Sequence, residues 1–182
     1  MLNDEEKRIL LKIARKSLED YFSGRDSGNI EVPQSLKEKY GAFVTLKKKG
    51  QLRGCIGFIS AIKPLNVAIR ELALEAAFHD PRFNSLDARE LEEVDIEISV
   101  LTPFERVKDA NEIIVGKHGL YIKKGFHSGL LLPQVATEWG WDREKFLEQT
   151  CYKAGLNKEA WKDKDTEIYS FSAEVFGEKK YK

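Results

Sequence analysis

Gly41-Ala42-Phe43-Val44-Thr45-Leu46-Lys47-Lys48-Lys49-Gly50-Gln51-Leu52-Arg53-Gly54-Cys55-Ile56-Gly57-Phe58-Ile59 reads as two strands joined by a short glycine-containing turn. Alternation along the second strand puts Leu52, Ile56 and Phe58 on one face and Arg53, Cys55 and Gly57 on the other, with Gly54 on the apolar side. Two glycines inside one strand mark a bulge or a place where something comes close to the backbone. Cys55 between them is less crowded than a core cysteine, and Arg53 on its face would favour the thiolate. The plainer reading makes Cys55 a small buried hydrophobe among structural glycines.

Working outward, Val94-Asp95-Ile96-Glu97-Ile98-Ser99-Val100 alternates strictly and is the clearest strand of the chain. Residues 4 to 22 form an amphipathic helix, with Asn3 as N-cap and Glu6 in capping-box position. Pro64 starts a second helix that runs to about Phe78 and ends at His79-Asp80-Pro81-Arg82-Phe83-Asn84. One helical turn or two is expected between Leu86 and Glu92. Short strands are expected at Ile113 to Val115, Leu120 to Lys123 and Gly129 to Leu132, as a meander. Asp142 caps a helix from Arg143 to about Lys153 that stops at Gly155. A last strand, Glu167 to Phe176, shows Tyr169, Phe171, Ala173 and Val175 on one face. Without regular alternation of strand and helix, these elements predict an α+β fold with antiparallel sheets.

At 182 residues the chain suits one folding unit, organised at most into two lobes. Thirty basic residues against thirty acidic ones argue against non-specific nucleic-acid binding. The charged fraction of 33% exceeds the roughly 25% of ordinary soluble domains, as in proteins stabilised by ion-pair networks at high temperature. No apolar run reaches the roughly 18 residues of a membrane span, and the acidic start Met1-Leu2-Asn3-Asp4-Glu5-Glu6 is no secretion signal, so the expected location is the cytoplasm. Cys55 and Cys151 are far apart and lack metal-ligand spacing; both are expected as free thiols, Cys151 as an inert packing residue. His118 and His127 follow glycine turns without acidic or thiol partners at matching spacing, so no metal and no cofactor are assigned.

Three further groups could carry chemistry. His79 could act as a base toward a thiol, Asp80 could orient it, and Arg82 could hold a carboxylate or phosphate with two parallel bonds; an Asp-Pro-Arg turn also serves simply to cap a helix. Glu75 would lie beside His79 if the helix persists. Glu97 and Ser99 project from the polar face of their strand, where a carboxylate can act as acid, base or anchor, or can merely face solvent. Trp139-Gly140-Trp141 is expected in the core, with a partner surface as the alternative.

The hexapeptide Leu-Arg-Gly-Cys-Ile-Gly at 52–57 resembles the name-giving motif of AMMECR-type domains. The resemblance continues through 77–83, 97–103, 129–136 and 151–156, in the same order and over nearly the whole chain. It implies a single AMMECR-type domain over 1–182, built of two unequal lobes, each an antiparallel sheet with flanking helices, with both chain ends in the larger lobe. It implies no established activity. It does imply a site centred on Cys55 and possible company in a modification system, with Memo-like and radical-SAM proteins as partners.

Two functions follow. In the first, Cys55 is a nucleophile or redox thiol, Arg53 or Arg82 holds a small anionic substrate or peptide, and His79 or Glu97 moves protons. In the second, Arg53, Gly54 and Gly57, with Asp80, Arg82 and Ser99, form a non-catalytic surface for a partner protein.

Overall fold

The computed structural model of the chain describes residues 2–181. Helix α1 (Asp4–Ser23) starts where the sequence places it, because Asn3 accepts from the Glu6 amide while the Glu6 side chain accepts from Asn3. It stops at Gly24, whose φ of 64° few other residues adopt. Strands β1 (Ala42–Lys48) and β2 (Gln51–Phe58) form the expected hairpin. Helix α2 (Leu65–Phe78) follows, with Pro64 at its N-cap, and then β3 (Val94–Leu101), which pairs antiparallel with β1. Between them, a 3-10 turn at Ala88–Glu90, capped by Asp87, stands for the expected helical turns.

The chain divides into two compact units, one built from the residues up to Val100 together with those from Glu174, the other from Leu101–Ala173. The first holds a sheet of order β2-β1-β3-β8, where β8 is Ala173–Gly177. One face of this sheet, with Val44, Leu46, Ile96 and Ile98, is fully buried in a core shared with Leu10 and Leu18 of α1 and Ile69 and Leu72 of α2. Alternating apolar positions in β1 and β3 make that core possible, since each inward residue has an inward partner on the next strand.

The second unit contains β4 (Glu105–Arg106), β5 (Gly119–Lys124), β6 (His127–Leu131) and β7 (Glu167–Phe171) in the order β4-β7-β5-β6, with α3 (Pro133–Glu138) and α4 (Arg143–Lys153). Leu120 and Ile122 meet Phe146, Leu147 and Cys151 of α4 in its core. Cys151 is fully buried, as a packing residue should be.

Several expectations need correction. Residues 113–115 form no strand: Asp109 caps a 3-10 turn at Ala110–Glu112, and the Ile114 amide donates to His118 Nδ1 (3.2 Å) instead of to a neighbouring strand. The last strand is two. The chain leaves one sheet for the other at Ser172, whose amide and carbonyl both bond Thr102, at 2.8 Å each. Alternation alone runs smoothly through that break. Trp139 lies outside the core, 70% exposed and stacked on Trp141 at 6.1 Å between ring centres, because Gly140 (φ 63°) turns the chain between α3 and α4. Helix α3 was not anticipated, although Pro133 occupies the first-turn position that proline favours.

Candidate functional site

Register decides which side chains surround Cys55. Thr45 lies opposite Cys55 on one side and opposite Glu97 on the other, so Cys55, Thr45 and Glu97 make one rung across three strands. The next rung is Gly57, Phe43 and Ser99. Both rungs face away from the helices, since Val44, Leu46 and Ile98 take the other face.

A register shift between Leu46 and Lys47 leaves Arg53 as the extra residue of a β-bulge, because Leu46 pairs with Gly54 and Lys47 already pairs with Leu52. This corrects the simple alternation. Leu52 lands on the Cys55 face and is 43% exposed, where it had been expected beside Ile56 and Phe58. Arg53 turns to Glu90 (2.9 Å) and to the carbonyls of Asn84 (3.0 Å) and Ser85 (3.4 Å). Its hydrogen bonds hold the Glu90 carboxyl down to about 2. The expected influence of Arg53 on the thiol is therefore replaced by that of Arg82.

The two motif glycines have intramolecular neighbours. A Cβ on Gly54 would overlap the Ala76 carbonyl oxygen, so this glycine lets α2 lie directly on β2. A Cβ on Gly57 would overlap the Phe43 ring. Both alternatives offered by the sequence are present, the bulge beside Gly54 and the close approach, and the approaching groups are a helix and an aromatic ring of the chain itself.

The strand order places β2 at a sheet edge, so the amide and carbonyl of Cys55 point outward. The turn after α2 covers them. Asp80, 4% exposed, accepts the Cys55 amide at 2.8 Å, and Arg82 Nη2 donates to the Cys55 carbonyl at 3.4 Å. Arg82 also grips Asp80 with two bonds, Nε to Oδ1 at 2.9 Å and Nη2 to Oδ2 at 2.7 Å. The Arg82 guanidinium, together with the backbone donors, holds the Asp80 carboxyl far below the usual carboxylate range. Asp80 thus orients Arg82 and β2, not His79. His79 is displaced from the cluster: its ring pairs with Glu75 (3.1 Å) and its side chain is 67% exposed.

Burial pushes the Cys55 thiol upward in pKa, against smaller opposing effects of the Thr45 hydroxyl, which donates to Sγ at 3.2 Å, and of Arg82. The thiol stays protonated at neutral pH. Glu97, on the same rung, is held by Lys47 Nζ at 2.9 Å to each carboxylate oxygen. Ser99 is buried at 3% exposure on the next rung. The structure thus puts Asp80 and Arg82 against the backbone of Cys55, places Glu97 on the same rung beyond Thr45, sets Gly57 and Ser99 on the next rung, and directs Arg53 and His79 elsewhere. Among the described residues, no three of the histidines, cysteines and carboxylates group as metal ligands, and no helix is long and apolar enough to cross a membrane.

Sequence reading missed Thr45, Lys47 and Phe43, which alternation in β1 could have placed outward but only the register puts beside Cys55. It also missed Val175. The Cβ position of Gly177 lies beside Glu97, so Val175, two residues earlier on β8, shares that face and is 45% exposed.

Comparison with known proteins agrees with the fold. A protein of Methanothermobacter thermautotrophicus is 46% identical, over 97% of this chain and 96% of its own length. One from Aquifex aeolicus is 48% identical, over 94% and 92%. The crystal structure of uncharacterized protein PH0010 from Pyrococcus horikoshii superposes with a TM-score of 0.88 at 42% identity, covering 97% of this chain and 93% of that one. The AMMECR1 family model matches residues 11–176, and the chain belongs to the AMMECR1 family.

Proposed function

We propose that the protein is a recognition module whose outward face of the first sheet, centred on Cys55, receives a partner protein. The observation that carries this reading is that the ionisable groups around the thiol are engaged with one another. Asp80 is saturated by Arg82 and the Cys55 amide, and Glu97 is held by Lys47. A nucleophilic thiol needs a base within hydrogen-bond reach, and neither carboxylate is free to serve. What the face offers instead is Leu52 and Val175, two exposed apolar side chains, with the Lys47–Glu97 pair between their strands. Apolar anchors with polar groups to set orientation are the usual makings of an interface.

The resemblance supplies the first partners to try, a Memo-like protein and a radical-SAM protein, with which this chain would form a small modification system. Binding to each is to be measured by biolayer interferometry. Cys55→Ser should leave affinity within about twofold, whereas Leu52→Asp and Val175→Asp should each weaken it by about tenfold or more. Both aspartates replace exposed side chains and leave the core intact. Loss of binding in Cys55→Ser, with Leu52→Asp and Val175→Asp unaffected, would return the thiol to the centre and defeat the recognition reading. Arg53→Ala and Gly57→Val, natural choices from sequence, do not discriminate, because Arg53 anchors Glu90 and Gly57 accommodates Phe43.

A further inference from the structure

A second feature of the first unit is independent of the Cys55 face. Between α1, α2 and residues 28–32 lies a cavity of about 510 Å³, and a smaller one of about 200 Å³ adjoins it, the two sharing Asp20 and Arg70. The larger volume falls in the range of small-molecule sites. Its apolar wall is made by Ile13, Ile30, Val32 and Val67, so a ligand with an apolar body would be desolvated there.

The polar groups favour an anion. Lys16 and Asp20 cancel as an ion pair at 2.8 Å. Arg70 is held loosely, at 3.3 Å from Asn29 Oδ1 and 3.9 Å from Asp26, with its side chain 47% exposed. Lys37 in the larger cavity and Arg25 in the smaller make no ion pair among the described residues. Against these three cations stand the carboxylates of Asp26 and Glu31, both on exposed positions of the connecting segment. Asn66 also lines the cavity, and its buried Oδ1 has no hydrogen-bond partner, an acceptor that a hydroxyl or amide on the ligand's organic part could satisfy. Arginine at the junction of the two chambers provides the planar fork that grips phosphate oxygens in pairs.

We propose that this groove binds a small organic phosphate monoester, its apolar body against Ile13, Val32 and Val67 and its phosphate on Arg70. Lys37 supplies a further donor. The ligand joins two demands that neither inorganic phosphate nor a neutral apolar molecule meets alone.

The probe is phenyl phosphate, titrated into the full chain by calorimetry, with inorganic phosphate and neutral phenol as comparisons at matched ionic strength. Phenyl phosphate should bind saturably, about tenfold more tightly than inorganic phosphate, because only it fills the apolar chamber. Arg70→Ala should weaken phenyl phosphate by about tenfold. Val67→Gln, a change at a partly exposed helix position, should remove the advantage of the phenyl group while leaving inorganic phosphate unaffected. Circular-dichroism melting of both variants verifies folding, and Lys37→Ala, on an exposed side chain, provides a second charge test. Absence of saturable phenyl phosphate binding to the wild type overturns the proposal, as does binding that folded Arg70→Ala and Lys37→Ala both retain in full. The Cys55 variants should leave these titrations unchanged, so the fate of this site is read apart from that of the recognition face.

Discussion

Gly54 shows how one residue serves both the motif and the core. The space a side chain would need is occupied by the carbonyl of Ala76, so the smallest substitution forces α2 off the sheet. Gly54→Ala should therefore cost about 1–3 kcal/mol, measured by urea unfolding, in line with other overpacked sites. Cys55 is the opposite case, a residue whose neighbours leave it room but restrain its chemistry. With its thiol raised in pKa by burial, Cys55 should react with iodoacetamide at neutral pH more slowly than free cysteine. Mass spectrometry of a labelling time course checks this, and labelling faster than free cysteine would contradict the protonated state. Neither outcome could be derived from the hexapeptide alone, because spacing reveals that Cys55 is flanked by glycines and not what fills the space beside them.

At the scale of elements, the turn after α2 acts as a cover for the edge of β2. Asp80 and Arg82 supply the acceptor and donor that a neighbouring strand would have supplied to Cys55. Asp80→Ala leaves the Cys55 amide unpaired and should destabilise the protein by about 1–3 kcal/mol. The Cys55 amide should then exchange with deuterium faster than its neighbours in β1, whose bonds to β2 and β3 persist. Asp80→Asn retains an acceptor and should fall between the two. Helices α1 and α4 were legible in the sequence because their signals are local: Asn3 and Glu6 for α1, Asp142 for α4. The hairpin was legible for the same reason. The division of residues 167–176 between two sheets was not, since it depends on partner strands distant in sequence, and the bulge that the glycines signal as one alternative is assigned to Arg53 only by the pairing register. Alternation assigns a face correctly only until the register shifts, and Leu52 lies just beyond such a shift.

Much of the charge of the molecule is paired, and the paired carboxylates govern its response to acid. Glu90, held by Arg53, titrates at about 2 against an ordinary value of 4.5, and Asp80 is likewise lowered by Arg82. Because both carboxyls bind protons less readily folded than unfolded, their stabilisation is fully present above the unfolded values and disappears as pH falls toward the folded ones. The urea midpoint should thus hold steady near neutrality and decline between about pH 5 and pH 2. Glu90→Gln, which removes one of these groups, should make that decline shallower. A profile unchanged by Glu90→Gln would show that the Arg53–Glu90 pair contributes nothing to acid sensitivity. Net charge, zero in the sequence count, could not indicate this, since the response depends on which charges are paired.

The sequence by itself determined the α+β class, the boundaries of α1, α2 and α4, the hairpin and the family motif around Cys55. These depend on period, capping and turn chemistry, which act within a few residues. Only the tertiary structure decided that Thr45 and Glu97 share a rung with Cys55, that Asp80 and Arg82 close its strand edge, and that Arg53 and His79 turn away. Those placements are set by register and by the packing of α2 on the sheet, where residues tens of positions apart compete for the same hydrogen bonds. Competition of that kind leaves no periodic trace in the chain, so the location of the candidate site could be read from sequence while its chemistry could not.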